Sequence, residues 1–195
     1  MKLFAFVDTH GNLSKINALK EKSKGADLVI CAGDLTMFES NLNGFLKVLD
    51  GLGPRVLIVH GNHEEELTLK RACKPQPKIF DIHKEIFKTK DYVFMGFGGG
   101  GFRMVDEEFE NLEEKFKKHL KDNSTVLIVH GPPYGTALDY LDNRHVGNKS
   151  YRDFIIKYHP KLVICGHLHE NAGKKDKIGD SIIVNPGPDG VMLDI

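Results

Sequence analysis

The sequence predicts an α/β layered domain, and three observations lead to that prediction. Short apolar runs rich in Val and Ile recur along the chain, which is typical of strands buried on both faces. Segments with the apolar spacing of helices separate several of these runs, so strands alternate with helices. The chain has 195 residues, a length that favours one domain over residues 1–195 with its own hydrophobic core.

Seven apolar runs are predicted to form strands. All are shorter than the roughly 18 apolar residues of a membrane span, and the first is too short for the core of a signal peptide. The sequence therefore predicts a location in the cytoplasm and no membrane partner. The predicted strands cover residues 3–7, 28–32, 56–59, 92–97, 126–129, 162–165 and 182–184.

Helical spacing fills most of the intervals between these runs. Asn12 is a predicted N-cap for the first helix, and Ser150 is a predicted cap for the last. Residues 64–66 are all glutamates, which favours the acidic first turn of another helix. The apolar stripes comprise Leu13 and Ile16; Leu42, Phe45, Leu46 and Leu49; Val105, Phe109, Leu112, Phe116 and Leu120; and Phe154 and Ile155.

Two segments, residues 79–97 and 173–195, lack helical spacing. Each is predicted to form a strand hairpin or meander. Hairpins pair strands antiparallel, whereas strand–helix–strand units pair them parallel. A purely parallel sheet is therefore not expected.

The charge balance limits the kinds of partner. Lys plus Arg and Asp plus Glu each number 27, which gives a formal net charge of zero. A neutral total argues against a protein that coats nucleic acid or an anionic membrane through bulk charge, but it does not exclude a locally charged site. The cysteines Cys31, Cys73 and Cys165 are odd in number and lack C-x-x-C spacing, which favours free thiols in a reducing compartment.

Residues that can bind a metal follow five of the predicted strands directly. Because ligands bind beyond the carboxyl ends of strands in open α/β sheets, we expect these side chains to converge along one sheet edge. A lone histidine or aspartate in such a position is more often a core or capping residue, but five positions in register favour a metal site. The candidate ligands are Asp8, His10, Asp34, Asn62, His130, His167 and His169.

The residue types indicate which metals fit. Aspartate and asparagine offer oxygen and histidine offers nitrogen, a mixture that suits Mn, Fe, Co, Ni or Zn rather than calcium. Seven ligands are too many for one ion with an open position. They suit two ions that share a carboxylate.

Five motifs in this sequence resemble those of the calcineurin-like metallophosphoesterases, in the same order. The resemblance implies a four-layer α-β-β-α sandwich of two mixed sheets flanked by helices. It also implies two divalent metal ions, with Mn²⁺ the first choice, and a nearest likeness to the small bacterial and archaeal phosphodiesterases. The motifs are Asp8-x-His10, Gly33-Asp34, Gly61-Asn62-His63-Glu64, His130 and Gly166-His167-x-His169.

The same resemblance implies a role for each motif residue. A hydroxide shared by the two ions would attack a phosphate ester, and His63 would protonate the leaving group without binding metal. By this likeness Asp8, His10 and His169 would hold one ion, Asn62, His130 and His167 would hold the other, and Asp34 would bridge them.

Two departures from the family pattern bear on the substrate. The third motif ends in Glu64 where Asp is more usual. The run after Asp34 lacks the second Asp and the Arg of the protein Ser/Thr phosphatases, which argues against that activity and favours a phosphodiester over a phosphomonoester. The alternatives are a phosphomonoesterase, a nuclease and a non-catalytic protein-binding scaffold. The presence of His63 with a full ligand set argues against the scaffold, and the balanced charge gives no sign of a nuclease's basic groove.

Other features have no assigned role. Residues 96–101 satisfy G-x-G-x-x-G, but they follow a predicted hairpin rather than a first strand, so we expect a turn near the cleft instead of a dinucleotide site. Arg144 and His145 lie in a loop that is predicted to be surface rather than substrate pocket. Asn185 begins a predicted turn after the last buried strand, which would put it near the cleft. No substrate-binding residue is identified from the sequence.

Overall fold

Two large mixed sheets pack face to face in the computed structural model, which describes residues 1–120 and 124–195. All seven predicted apolar runs form strands, with ends shifted by at most one residue. The strands are β1 (Lys2–Phe6), β2 (Leu28–Cys31), β3 (Arg55–Ile58), β4 (Ile79–Asp81), β5 (Glu85–Lys88), β6 (Val93–Phe97), β7 (Thr125–Val129), β8 (Tyr140–Leu141), β9 (Arg144–His145), β10 (Leu162–Ile164), β11 (Lys175–Ile178), β12 (Ser181–Val184) and β13 (Val191–Asp194).

The order of strands shows how each sheet mixes parallel and antiparallel pairs. The first sheet runs β13-β1-β2-β3-β4, with β1 to β4 parallel and β13 antiparallel at one edge. The second runs β11-β12-β10-β7-β6-β5, with the four central strands parallel and an antiparallel strand at each edge. The expectation that no sheet is purely parallel is confirmed.

Five α-helices in the described part of the chain cover the outer faces of the sheets. The first three pack on the first sheet and the last two on the second, so the predicted four-layer α-β-β-α arrangement is confirmed. The helices are α1 (Leu13–Lys22), α2 (Leu42–Asp50), α3 (Glu66–Cys73), α4 (Glu107–Lys117) and α5 (Lys149–Tyr158).

The core lies in three layers because alternate side chains of each strand point to opposite faces. On β1, Leu3 and Ala5 pack in the layer between the two sheets, whereas Phe4 and Phe6 pack under the helices of the first sheet. Both faces of each central strand are buried, which explains why these strands are continuous apolar runs rather than alternating patterns.

One of the two predicted helix caps is confirmed, and the other is wrong. The Asn12 side chain accepts a hydrogen bond from the Lys15 amide at 3.1 Å, so the predicted N-cap is confirmed. The prediction that Ser150 caps the last helix is wrong. Asn148 is the cap, with its Oδ1 accepting from the Tyr151 amide at 3.0 Å. Ser150 lies inside α5 and accepts instead from the Asp106 amide.

The two segments without helical spacing connect the sheets. Residues 79–97 supply β4 to the first sheet and then the β5–β6 hairpin to the second. Residues 173–195 form the β11–β12 hairpin of the second sheet and return to the first as β13.

All three cysteines are buried free thiols. None of the helices described here is long and apolar enough to cross a membrane, and the cytoplasmic location stays a prediction.

Candidate metal centre

The candidate ligands lie in loops that follow the carboxyl ends of five strands drawn from both sheets. Strands β1, β2 and β3 belong to the first sheet, and β7 and β10 belong to the second. The expectation of a single sheet edge is therefore wrong, because the two sheets pack with these ends together. In chain order Asp8 and His10 follow β1, Asp34 follows β2, Asn62 follows β3, His130 follows β7, and His167 and His169 follow β10.

Among the residues that the structure describes, three overlapping groups of side chains have ligand atoms within 4.8 Å of one another. Two of the groups contain Asp8 and two contain Asp34, so these carboxylates join the groups into one cluster. His63 is a member of one group, although the resemblance gave it no metal. The groups are Asp8, His10 and His169; His10, Asp34 and His63; and Asp8, Asp34 and His130.

Asn62 connects the remaining candidates to the cluster. Its Oδ1 lies 3.1 Å from His130 Nε2 and 2.8 Å from His167 Nδ1. His130 Nε2 in turn lies 3.4 Å from Asp34 Oδ2. The structure thus brings all seven candidate ligands to one place.

Four of the candidates adopt a backbone conformation that side chains usually avoid. Asp8, His10, Asp34 and His167 have φ values of 57°, 45°, 49° and 69°. The left-handed region is uncommon for residues other than glycine, and such strain persists where the surrounding structure enforces it, often at functional sites. The strands end in these strained turns, which aim the side chains at one another.

Two glycines allow the loops to approach each other closely. A Cβ on Gly61 would lie 1.9 Å from Asp34 Oδ1, and a Cβ on Gly166 would lie 2.2 Å from Val7 Cγ2. Any side chain at either position would push the neighbouring strand end away. The glycines of the third and fifth motifs are therefore required by packing beside the site.

Asp34 and His130 shift each other's pKa. Burial by itself raises the pKa of the Asp34 carboxyl, but its hydrogen bond and charge interaction with His130 outweigh that effect and lower the pKa to about 2. Burial likewise lowers the pKa of the imidazole of His130, and the carboxylate of Asp34 raises it to about 9. Each of these two groups favours the charged form of the other.

Asp8 provides a test of whether cations fit the site. Burial raises the pKa of its carboxyl to about 6, against the opposing effect of His130. Its Oδ2 accepts a hydrogen bond from the His167 amide at 2.9 Å, but its Oδ1 is buried with no hydrogen-bond partner in the described structure. A buried carboxylate oxygen without a donor is costly unless a cation binds it. His10 Nε2 and His169 Nε2 face each other at 2.9 Å, as two ligands of one ion do. The residues therefore fit divalent cations.

His63 lies at the side of the cluster, half-buried. Its amide donates to Asp34 Oδ1 at 3.0 Å, and its Nε2 lies 3.9 Å from Asp34 Oδ2. Its ring packs edge-on against His10, with centroids 4.7 Å apart, and against the exposed ring of Phe38 at 4.5 Å. This position, close to the carboxylate and open on one side, can present a proton to a bound ligand.

Glu64 does not belong to the acidic first turn that the sequence predicts, because α3 begins only at Glu66. The Glu64 carboxylate is buried and accepts hydrogen bonds from the amides of Asp34, Thr36 and Gly61 and from the Thr36 hydroxyl, at 2.8 to 3.2 Å. It therefore fastens the loop after β2 to the loop after β3. The Glu64 carboxylate is therefore bound to these donors and is not a free negative charge in the cleft.

Asn185 supports the loop after β10, as its place in the sequence indicated. Its fully buried side chain donates to the Leu168 carbonyl at 3.2 Å and accepts from the Gly187 amide at 3.0 Å. Leu168 lies between His167 and His169. The turn after β12 thus holds both histidines of the fifth motif in place.

A cavity of about 360 Å³ lies next to the cluster and shares Asn62 with it. Residues 98–101 form one wall, so the prediction of a turn near the cleft is confirmed. Arg103 lines the same cavity and was not identified from the sequence, since nothing in its neighbours marks it. Arg144 and His145 lie instead on the exposed β8–β9 hairpin, where His145 Nδ1 lies 2.8 Å from Asp139 Oδ1.

Comparisons with known proteins agree with this fold and cluster. The calcineurin-like phosphoesterase family model matches residues 1–171. An uncharacterised protein from Methanocaldococcus jannaschii is 30% identical over 201 residues, which cover 96% of this chain and 88% of that protein. A probable cyclic nucleotide phosphodiesterase from Coxiella burnetii is 25% identical over 157 residues, which cover 74% of this chain and 61% of that protein.

Solved structures show the same fold. A protein from Thermus thermophilus superposes with a TM-score of 0.74 at 19% identity, over 95% of this chain and 88% of that one. A dimetal phosphatase from Danio rerio gives a TM-score of 0.61 at 10% identity, over 94% of this chain and 86% of that one.

The two-sheet sandwich and the cluster at its strand ends are those of a metal-dependent hydrolase of phosphate esters. The chain belongs to the calcineurin-like phosphoesterase family. Members of this family use a dinuclear divalent-metal centre, and the three groups around Asp8 and Asp34 are this chain's candidate ligands for it.

Proposed function

We propose that this protein is a phosphodiesterase that uses two divalent ions, with Mn²⁺ the first choice and Fe, Ni, Co or Zn as alternatives. The unpartnered oxygen of Asp8 and the facing imidazole nitrogens of His10 and His169 support one ion site. The short distances from Asn62 to His130 and His167 support the other. In this proposal Asp8, His10 and His169 hold one ion, Asn62, His130 and His167 hold the second, and Asp34 contacts both.

Two divalent ions, when bound, lower the pKa of the attacking water and neutralise charge on the phosphoryl oxygens. The protein's own contribution is to fix the ligands and to supply a proton. Glu64 and Asn185 hold the loops that carry the ligands, through the hydrogen bonds described above. His63 donates a proton to the leaving oxygen, since it lies beside the cluster and histidine can exchange protons near neutral pH.

The charge of the centre favours a diester. Two divalent ions carry formally about +4, and two carboxylates with an attacking hydroxide carry about −3, which leaves about +1. A phosphodiester carries one negative charge, whereas a monoester is nearer a dianion and needs further cations. In the described part of the chain no salt bridge joins a Lys or Arg to the cluster, and this observation carries the proposal. The name of the Coxiella burnetii relative agrees with it.

Arg103 favours the second candidate, a phosphomonoesterase. It lines the same adjacent cavity as Asn62, which puts one positive charge near the cluster. A guanidinium there could pair with the extra negative oxygen of a monoester.

Parallel assays on one enzyme preparation test the choice. In Mn²⁺ at pH 7 to 8 we expect a higher kcat/KM for bis(4-nitrophenyl) phosphate than for 4-nitrophenyl phosphate. A monoester preference that disappears in Arg103→Gln, but persists in the matched control Arg144→Gln, would overturn the proposal in favour of the monoesterase. Failure of the metal-loaded protein to hydrolyse either ester or structured DNA would favour a non-catalytic scaffold.

A further inference from the structure

Two phenylalanine side chains next to the cluster are largely exposed. Phe38 is 75% exposed and Phe102 is 60% exposed. Single exposed apolar residues are normal on protein surfaces. These two differ because each makes a ring contact with a histidine of the centre.

Phe38 lies on the loop that follows β2. Its ring centroid is 4.5 Å from that of His63, and its backbone has φ of 48°. A left-handed backbone is a genuine outlier for a bulky residue and is strained. The fold therefore holds this ring at the surface beside the proposed proton donor, at a cost in strain.

Phe102 lies on the loop that follows β6, directly after four consecutive glycines. Its ring meets that of His167 edge-on, with centroids 4.6 Å apart. Its neighbours Gly101 and Arg103 line the cavity that Asn62 shares with the cluster. Phe102 therefore lies close to the 360 Å³ cavity, between two residues that line it.

The two rings lie on different flanks of the centre. His63, which Phe38 contacts, packs against His10 and lies near Asp34. His167, which Phe102 contacts, packs against His130 and lies near Asn62. A phosphodiester also has two flanks, since one ester group leaves and the other is retained.

We propose that Phe38 and Phe102 are specificity residues that stack on flat aromatic ester groups of the substrate. This proposal rests on the proposed phosphodiesterase function. Phe38 contacts the group that leaves, because it lies against the proton donor for that group. Phe102 contacts the retained group, and the cavity beside it accommodates the polar atoms of a nucleoside. The substrate class is therefore a nucleoside or aryl phosphodiester rather than an alkyl one.

The role of Phe102 is tested with two substrates that share a scissile bond. Thymidine 5′-(4-nitrophenyl phosphate) and methyl 4-nitrophenyl phosphate have the same leaving group and differ only in the retained one. We expect wild type to favour the thymidine ester by about 5- to 100-fold in kcat/KM, as for base stacking on an aromatic side chain. In Phe102→Ala this ratio should fall towards one, and in Phe38→Ala it should persist.

The role of Phe38 is tested on the other flank. Methyl phenyl phosphate and methyl hexafluoroisopropyl phosphate share the retained group, and their leaving alcohols have similar acidity. Phe38→Ala should lower the preference for the phenyl ester by about 5-fold or more, and Phe102→Ala should leave it unchanged. Because each result is a ratio within one variant, a change in metal content cancels.

Controls separate this proposal from the proposed function. Ile156→Ala removes an exposed apolar side chain on α5, and it should leave both ratios unchanged. If wild type hydrolyses diesters but the ratios do not respond to the two variants, the stacking proposal is wrong and the phosphodiesterase stands. If wild type hydrolyses no diester, the proposed function is wrong. Calorimetry in Mn²⁺ then decides the stacking proposal, which fails if thymidine 5′-monophosphate binds no tighter than methyl phosphate or if Phe102→Ala binds it equally well.

Discussion

At the scale of single residues, the site depends on side chains whose chemistry is evident from the sequence and on strained backbone conformations that are not. Asp8, Asp34 and the histidines were predicted because their side chains can ligate a metal. The left-handed φ values of Asp8, His10, Asp34 and His167 could not be predicted, since nothing in the type of an aspartate or histidine requires that region. Glu64 was misassigned for a similar reason: three glutamates in a row favour a helix start, and only the fold shows that one is buried.

Glu64 leads to a prediction about stability. Glu64→Ala removes the acceptor for four buried donors, so the free energy of unfolding should fall by about 3 kcal/mol or more. Glu64→Gln keeps one acceptor oxygen, so its free energy of unfolding should fall by less than that of Glu64→Ala. Glu65→Ala changes the exposed neighbour and should stay within about 0.5 kcal/mol of wild type. Urea denaturation measures all three, and a Glu64→Ala protein as stable as Glu65→Ala would contradict the fastening role.

His63 leads to a prediction about chemistry. His63→Ala should keep both metals and lose about 10²- to 10⁴-fold in kcat, the usual effect of removing a general acid. The loss should shrink for 4-nitrophenyl esters, whose leaving group needs no proton, and be full for alkyl leaving groups. Steady-state rates on both kinds of ester provide the measurement. An equal loss on both would rule out proton donation.

At the scale of elements, most strands were predictable because each central strand is buried on both faces and so is a plain apolar run. The hairpins were predictable from the lack of helical spacing. Strands β8 and β9 were missed because each has only two residues, too few to show a hydrophobic pattern. The cap of α5 was misplaced by two residues because Asn148 and Ser150 are both good caps, and only the tertiary contact of Ser150 with Asp106 decides between them.

The turn after β12 leads to a prediction about element positioning. Asn185→Ala removes the bond to Leu168 that holds the loop of His167 and His169, so metal affinity should fall about 10- to 100-fold. Asn148→Ala is a matched control: its side chain is also buried and also donates to a backbone carbonyl, that of Arg103, which is not a candidate ligand. The bonds of Asn148 to the loop after His130 are made by its backbone and remain in the variant. That variant should lose stability with its helix cap and keep its metal affinity. Calorimetric Mn²⁺ titrations compare the two, and equal affinities would contradict the account.

At the scale of the whole molecule, the centre exists because two sheets pack with five strand ends together. The sequence alone does not divide the runs between sheets, since strands buried on both faces look alike. That is why a single sheet edge was expected from the residues, and why two sheets followed only from the family resemblance. Asp34 is the residue through which the contributions of both sheets meet, since it lies near His10 and His63 from one sheet and His130 from the other.

The metal content of Asp34→Asn tests this account most directly. Elemental analysis after Mn²⁺ loading and desalting should give two ions per chain in wild type and in His63→Ala. Asp34→Asn should lose metal from both positions, because the shared negative charge is removed from each. Two ions retained by Asp34→Asn, or fewer than two in wild type, would contradict a dinuclear centre built around Asp34.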